Sequence, residues 1–140
     1  MTTSLPFRQI LYVSQAKDDL RPHDIVQLIK AAWRNNTEHN LSGLLLHNKG
    51  QFMQIVEGEP GKVGQLMRNL SRDSRHEHIA ILLDQVVPER EFVCWLMGYK
   101  RVAPPLKDDE LDDISVDIDF LFEIPHPSKA VQLLRSFTRS

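Results

Sequence analysis

The feature that most restricts the fold of this chain is the alternation of strand-like apolar runs with two helical stripes of apolar residues. The first stripe follows Pro22, which suits the first turn of a helix, and is predicted to end at Asn35 and Asn36. Its members are Ile25, Leu28, Ile29, Ala32 and Trp33. The second stripe consists of Val63, Leu66, Met67 and Leu70. The strand-like runs are Phe7–Ser14, Leu41–His47, Gln51–Glu57, Ile79–Val87 and Phe92–Tyr99.

The order β-α-β-β-α-β followed by one more strand predicts an α+β fold of the ferredoxin-like type with an extra fifth strand. Right-handed crossovers place both helices on one face of the sheet, with the first and third strands adjacent and central. The second and third strands form a hairpin, because Asn48-Lys49-Gly50 is typical of a tight turn.

The last part of the chain differs in character from the rest. Residues 107–119 contain seven acidic residues. Pro104 and Pro105 precede this stretch, and Pro125 and Pro127 follow it. Ser128–Phe137 predicts a short helix with Ser128 as its N-cap, which we expect to cover the open face of the sheet. We therefore divide the chain into a domain over residues 1–101 and a C-terminal helical tail over residues 102–140.

Composition excludes several classes of function. A net charge of −2 provides no basic field for direct binding of nucleic acid. The one cysteine, Cys94, cannot form an internal disulfide or a cysteine-rich zinc site, and the pair His76 and His78 alone does not indicate a metal. No signal peptide or apolar run of membrane-spanning length is present, so we expect a cytoplasmic protein that does not bind membranes.

Polar residues at positions where the pattern expects apolar ones are the candidates for function. Gln54 shares a face of the third strand with Phe52 and Val56, so its amide is buried and needs a partner. Tyr12 lies on the adjacent strand and could be that partner. The alternative is an ordinary core hydrogen bond. Asn36 is open to two interpretations, a helix cap or a ligand contact.

Several fragments of the sequence, taken in order and spacing, resemble the BLUF family of flavin-binding photoreceptors. They are Ile10–Ser14 (ILYVS), Asn35-Asn36, Ser42–Leu45 (SGLL), Gln51–Gly58 (QFMQIVEG), Asp73–His76 (DSRH) and Arg90–Met97 (REFVCWLM). The resemblance covers residues 7 to about 100. One departure is Ser42, where the family usually has threonine, although a hydroxyl is kept.

The resemblance implies a noncovalently bound flavin, usually FAD, with FMN or riboflavin as alternatives, between the two helices. By this resemblance Tyr12 is the photoactive tyrosine, Gln54 lies between it and the flavin, and Trp95 and Met97 are the strand pair that responds to the glutamine. The flavin-binding residues that it implies are Leu28, Asn36, Gln54, Leu70, Arg75 and His76. In this scheme excited flavin takes an electron and a proton from Tyr12, and Gln54 changes its hydrogen bonds.

The resulting hypothesis is a sensory switch that is not an enzyme. The short stretch after the match leaves no room for an output enzyme, so we expect signalling to an unknown partner protein and a homo-oligomer, a dimer or larger. We expect the signal to leave through Trp95 and Met97 into the tail. The alternatives are a flavin-free ferredoxin-like interaction module and an acyl-phosphate hydrolase of the same fold, which Ser14–Leu20 supports poorly as an anion-binding loop.

Overall fold

The computed structural model describes residues 6–17, 21–92, 98–103 and 119–139. Its elements are β1 (Phe7–Ala16), α1 (Pro22–Glu38), β2 (Ser42–Asn48), β3 (Gln51–Gly58), α2 (Pro60–Ser71), β4 (His76–Val87), β5 (Gly98–Ala103), α3 (Phe120–Glu123) and α4 (Lys129–Thr138). No helix in these ranges combines the length and apolar character that a bilayer span requires.

The strands form one sheet in the order β4-β1-β3-β2-β5. β1 is antiparallel to both of its neighbours, and β2 is antiparallel to β3, while β5 joins parallel to β2. The predicted ferredoxin-like fold is therefore confirmed, including the adjacent interior positions of β1 and β3. The β2–β3 hairpin turns through Lys49 and Gly50, both with positive φ, as a type I′ turn requires.

The two faces of the sheet bury different elements. On one face α1 and α2 pack over side chains of even-numbered β1 and β3 residues, among them Ile10, Phe52 and Val56. On the other face α4 packs over alternate residues such as Leu11 and Ile55. This alternation follows from the two-residue period of a strand, so both faces of the central strands are buried.

The last helix begins as its sequence predicts. Ser128 is the N-cap of α4, and its hydroxyl accepts a hydrogen bond from the backbone N–H of Val131 at 3.2 Å. α4 then buries Ala130, Val131, Leu134 and Phe137 against the sheet. The division of the chain at residue 101 remains a prediction.

Among the predicted helix and strand ends that differ from the structure, those of α1 and β4 lie at the cleft. α1 continues past Asn35 and Asn36 to Glu38, because Thr37 donates its hydroxyl to the Trp33 carbonyl and the left-handed position after the helix falls to Asn40, at φ 55°. Asn36 is therefore not a cap. β4 begins at His76, three residues before the predicted Ile79, since the preceding turn ends there.

The fifth strand also differs from its prediction. The apolar run Phe92–Tyr99 indicated a strand, whereas the described strand β5 covers Gly98–Ala103. Phe92 lies before the strand and is buried in the core under α4. Residues 93–97, with Cys94, Trp95 and Met97, lie outside the described part of the chain, and so does most of the acidic stretch.

The approach of β2 to β3 generates a stability prediction at Gly43. This residue has φ 150°, and a Cβ at this position would lie 1.9 Å from the carbonyl oxygen of Ile55. We expect Gly43→Ala to lower the free energy of unfolding by about 3 kcal/mol or more, because the backbone pair must separate and the φ angle is strained. Chemical denaturation of both proteins measures this difference.

Gly61→Ala is the matched control. Apart from the local backbone of α2, no described atom lies within 4 Å of a Cβ placed at Gly61, in the first turn of this helix. We expect this change to be neutral or to stabilise the protein by up to about 1 kcal/mol. Equal destabilisation by the two substitutions would contradict the assigned role of Gly43.

Candidate functional site

A cleft of about 210 Å³ opens between α1 and α2, above the sheet. Its aliphatic walls include Leu28 from α1 and Leu66 and Leu70 from α2, while strand residues form the floor. The structure brings together here all the described residues that the sequence proposed for the site: Tyr12, Leu28, Asn36, Gln54, Leu70, Arg75 and His76. A largely apolar lining with a few polar groups is typical of a site for a small organic ligand or cofactor.

Tyr12 and Gln54 meet on the floor of the cleft. They are direct partners in the antiparallel register of β1 and β3, and both are buried. The Tyr12 hydroxyl donates a hydrogen bond to Oε1 of Gln54. Burial, and to a lesser degree the negative charge of Asp73, raises the pKa of Tyr12 well above its ordinary value. The phenol is therefore held protonated, as a hydrogen-bond donor to the amide.

Asn36 contributes an unsatisfied donor to the cleft wall. It is fully buried in the last turn of α1, and its Nδ2 has no hydrogen-bond partner among the described residues. Its Oδ1 receives a long contact of 3.5 Å from Asn35 Nδ2. A buried amide donor without a partner costs about 1–3 kcal/mol, so an acceptor atom of a bound ligand would relieve this cost.

An ion pair and a histidine line the end of the cleft beside β4. The guanidinium of Arg75 donates to both carboxylate oxygens of Asp73, at 3.0 and 2.8 Å, and these bonds lower the pKa of the Asp73 carboxyl. His76 Nδ1 lies 3.1 Å from the Ser14 hydroxyl. Burial lowers the pKa of His76, although the negative charge of Asp73 acts in the opposite direction. The lowered pKa favours the neutral imidazole at neutral pH.

Several lining residues were not predicted as site residues. The sequence indicates Asp73 only as part of a matching fragment. Its position two residues before Arg75 permits the bidentate ion pair between their side chains. Ala31 and Ala32 leave room in the wall of α1, and Asn69 adds an amide from α2. Ala32, the one small residue in the otherwise bulky apolar stripe of α1, was the available signal for the open cleft. The predicted photoactive residues Trp95 and Met97 lie outside the described residues.

Comparison with curated proteins identifies relatives for most of the chain. The blue light- and temperature-regulated antirepressor BluF of Escherichia coli (strain K12) is 28% identical over 128 residues, which is 91% of this chain and 32% of that protein. The photoactivated adenylate cyclase subunit beta of Euglena gracilis is 31% identical over 106 residues, 71% of this chain and 12% of that protein. The chain thus spans about a third or less of these relatives.

Solved structures share the fold. The dark-state structure of BlrB, a BLUF protein, has a TM-score of 0.67 and 25% identity, and the match covers 96% of each chain. The BLUF domain of BlrP1 has a TM-score of 0.72 at 24% identity, over 97% of this chain and 92% of that one. The family model described as sensors of blue-light using FAD matches residues 7–98. Since that match covers more than half of the sequence, the chain belongs to the BLUF family of blue-light flavin sensors.

Proposed function

We propose that this chain binds FAD without a covalent bond in the cleft between α1 and α2, and that it reports blue light through the hydrogen bond between Tyr12 and Gln54. The observation that carries the proposal is the position of that buried hydrogen bond on the floor of the cleft. The residues fit an isoalloxazine ring, because Leu28 and Leu70 offer aliphatic walls and Asn36 offers an unsatisfied donor for a polar ring edge.

The chemistry follows from the geometry of Tyr12 and Gln54. A flavin, when bound and excited by blue light, supplies a strong one-electron oxidant. With the flavin bound, Tyr12 would serve as the electron donor, and its hydroxyl proton would pass along the existing hydrogen bond to Gln54 Oε1. After Tyr12 had regained its electron and proton, the Gln54 amide, which can both donate and accept, would be left in a new hydrogen-bond arrangement.

The environment of Tyr12 supports this role. Because burial raises the pKa of Tyr12, the hydroxyl keeps its proton in the dark at all physiological pH values. Loss of an electron makes a phenol strongly acidic, so the proton then moves readily to a hydrogen-bonded acceptor. We propose that Asn36, Arg75 and His76 bind or orient the polar edge of the ring, with Arg75 held in place by Asp73.

The downstream output is also proposed. The relatives are named as an antirepressor and as adenylate cyclase subunits, so BLUF domains serve different outputs. For this chain we propose a sensory role without catalytic activity of its own, with signalling to a protein partner and assembly as a homo-oligomer in the cytoplasm. The alternative raised from the sequence, a flavin-free interaction module, differs from this proposal in flavin content.

The first prediction distinguishes these two functions by colour. We expect the purified protein to be yellow, with the absorption of oxidised flavin, because the cleft holds a buried Asn36 donor that a bound flavin would satisfy. Denaturation should release the flavin, and chromatography against FAD, FMN and riboflavin standards identifies it. A colourless protein that gains no flavin absorption on incubation with each of these flavins would support the flavin-free module instead.

The second prediction concerns the light reaction. Blue light should shift the flavin absorption band reversibly to the red without a covalent adduct. Tyr12→Phe and Gln54→Leu should each abolish the shift and keep the flavin bound, because each removes one partner of the hydrogen bond on the cleft floor. Absorption spectra in dark and light measure both effects.

Gln51→Leu is the control for the light reaction. Gln51 lies on β3, three residues before Gln54, but it is exposed. We expect its substitution to leave the red shift unchanged. A normal red shift in Tyr12→Phe would disprove proton-coupled electron transfer from this tyrosine.

The third prediction concerns Asn36. Asn36→Ala should raise the flavin dissociation constant by roughly two- to tenfold, since a neutral hydrogen bond contributes about 0.5–1.5 kcal/mol. The same change should leave the flavin-free protein equally stable or stabilise it by about 1 kcal/mol, because it removes an unpaired buried donor. Flavin titration and denaturation measure the two effects.

Thr37→Ala is the neighbouring control. It perturbs the same turn of α1, where its hydroxyl bonds to the Trp33 carbonyl, but it does not line the cleft. We expect flavin affinity to be unchanged in this variant. Equal flavin affinity in wild type and Asn36→Ala would rule out a role for Asn36 in binding.

A further inference from the structure

A second hydrogen-bonded pair bridges β1 and β3 on the face opposite the cleft. Gln9 and Glu57 are register partners, three residues along each strand from Tyr12 and Gln54. Gln9 Nε2 donates to Glu57 Oε2 at 2.8 Å, and both side chains are buried, Glu57 completely. Gln9 is also fixed from β4, since its Oε1 accepts from Gln85 Nε2 at 2.8 Å.

The Glu57 carboxylate holds the chain that follows β4. Its Oε2 accepts from the backbone N–H of Glu91 at 2.8 Å, and its Oε1 accepts from the backbone N–H of Phe92 at 2.7 Å. A buried carboxylate is costly without donors, so these bonds cannot be given up cheaply. Glu57 therefore ties Glu91 and Phe92 rigidly to the end of β3.

Glu91 carries the connection to the last helix. Its Oε1 accepts from the Ser128 hydroxyl at 2.9 Å and lies 3.4 Å from Gln9 Nε2. The same Ser128 oxygen caps the first turn of α4. The contact between Glu91 and Ser128 lies at the surface, where water can replace either partner, so it can open at low cost. Gln9, Glu57, Glu91 and Ser128 form what we call the Glu57 cluster.

We propose that the Glu57 cluster transmits the change at Gln54 to α4, with Glu57 as the positioning residue. Because β3 carries both Gln54 and Glu57, a rearrangement of the amide shifts the strand that holds the carboxylate, and the carboxylate moves Glu91 with it. The surface bond from Ser128 to Glu91 then has two positions, made and broken, which is the two-state element that coupling requires. This inference rests on the proposed function, which supplies the change at Gln54.

The test compares Glu57→Gln with wild type as flavin-loaded, full-length proteins. We expect wild type to show a red shift in light together with a change in hydrogen exchange over residues 128–138. Glu57→Gln should keep the red shift, because Glu57 lies on the opposite face from the cleft, while the light-dependent exchange difference should fall by about fivefold or more.

Glu91→Ala is the second variant, and it decides the question alone if Glu57→Gln does not fold. Its side chain is exposed and its backbone N–H still reaches Glu57, so this variant keeps the anchor to β3 while it loses the bond from Ser128 and the 3.4 Å contact with Gln9 Nε2. We expect the same loss of light response in α4. Glu59→Gln is the matched control for Glu57→Gln. It makes the same substitution at an exposed residue two positions after Glu57, and it should behave as wild type.

The contrary outcomes separate this inference from the proposed function. A wild type without a red shift overturns the proposed function and the inference together. A wild type with a red shift but without an exchange difference over residues 128–138 overturns the inference alone. The inference alone is also overturned if Glu91→Ala keeps the full light-dependent exchange difference over residues 128–138, or if Glu57→Gln loses the red shift. The same holds if Glu59→Gln loses the exchange difference as strongly as Glu57→Gln.

Discussion

The antiparallel pairing of β1 with β3 is the constraint on which both polar sites of this protein depend. The register that places Tyr12 opposite Gln54 also places Gln9 opposite Glu57. Since successive strand residues point to opposite faces, the first pair faces the cleft and the second faces α4. A slip of one residue would exchange the faces and bury each polar pair among the wrong neighbours. The same β1–β3 ladder therefore positions Tyr12 and Gln54 at the cleft on one face, and Gln9 and Glu57 toward α4 on the other.

The two faces of the sheet differ in how fully their buried polar groups are hydrogen-bonded. On the α4 face the Glu57 carboxylate has a hydrogen-bond donor for each oxygen, so the cluster is stable without a ligand. On the cleft face Asn36 keeps an unpaired amide donor, which reduces stability unless something binds there. Such a local cost is typical of functional sites. The asymmetry indicates that the cleft is built for a ligand, while the opposite face holds a ligand-independent connection from β3 to the chain that follows β4.

Several ends and contacts of the described residues do not follow from the sequence pattern. The helical stripe predicted α1 but not its last turn, because the end depends on Thr37 and on Asn40 in a left-handed conformation. The matching fragment predicted Arg75 as a binding residue without revealing that Asp73 holds its guanidinium. The apolar run beginning at Phe92 indicated a strand, yet Phe92 itself is anchored by Glu57 before β5 begins. In each case a contact outside the periodic pattern decided the outcome.

The sequence by itself determined the order of strands and helices, the burial of Tyr12 and Gln54, and the position of Ser128 at the start of α4. These features depend on local periodicity and on capping chemistry, which neighbouring residues define. Only the tertiary structure decided that Glu57 binds the backbone of Glu91 and Phe92, and that Glu91 meets Ser128. Those bonds join residues more than thirty positions apart, and they form only after strand register and crossovers bring the distant segments together.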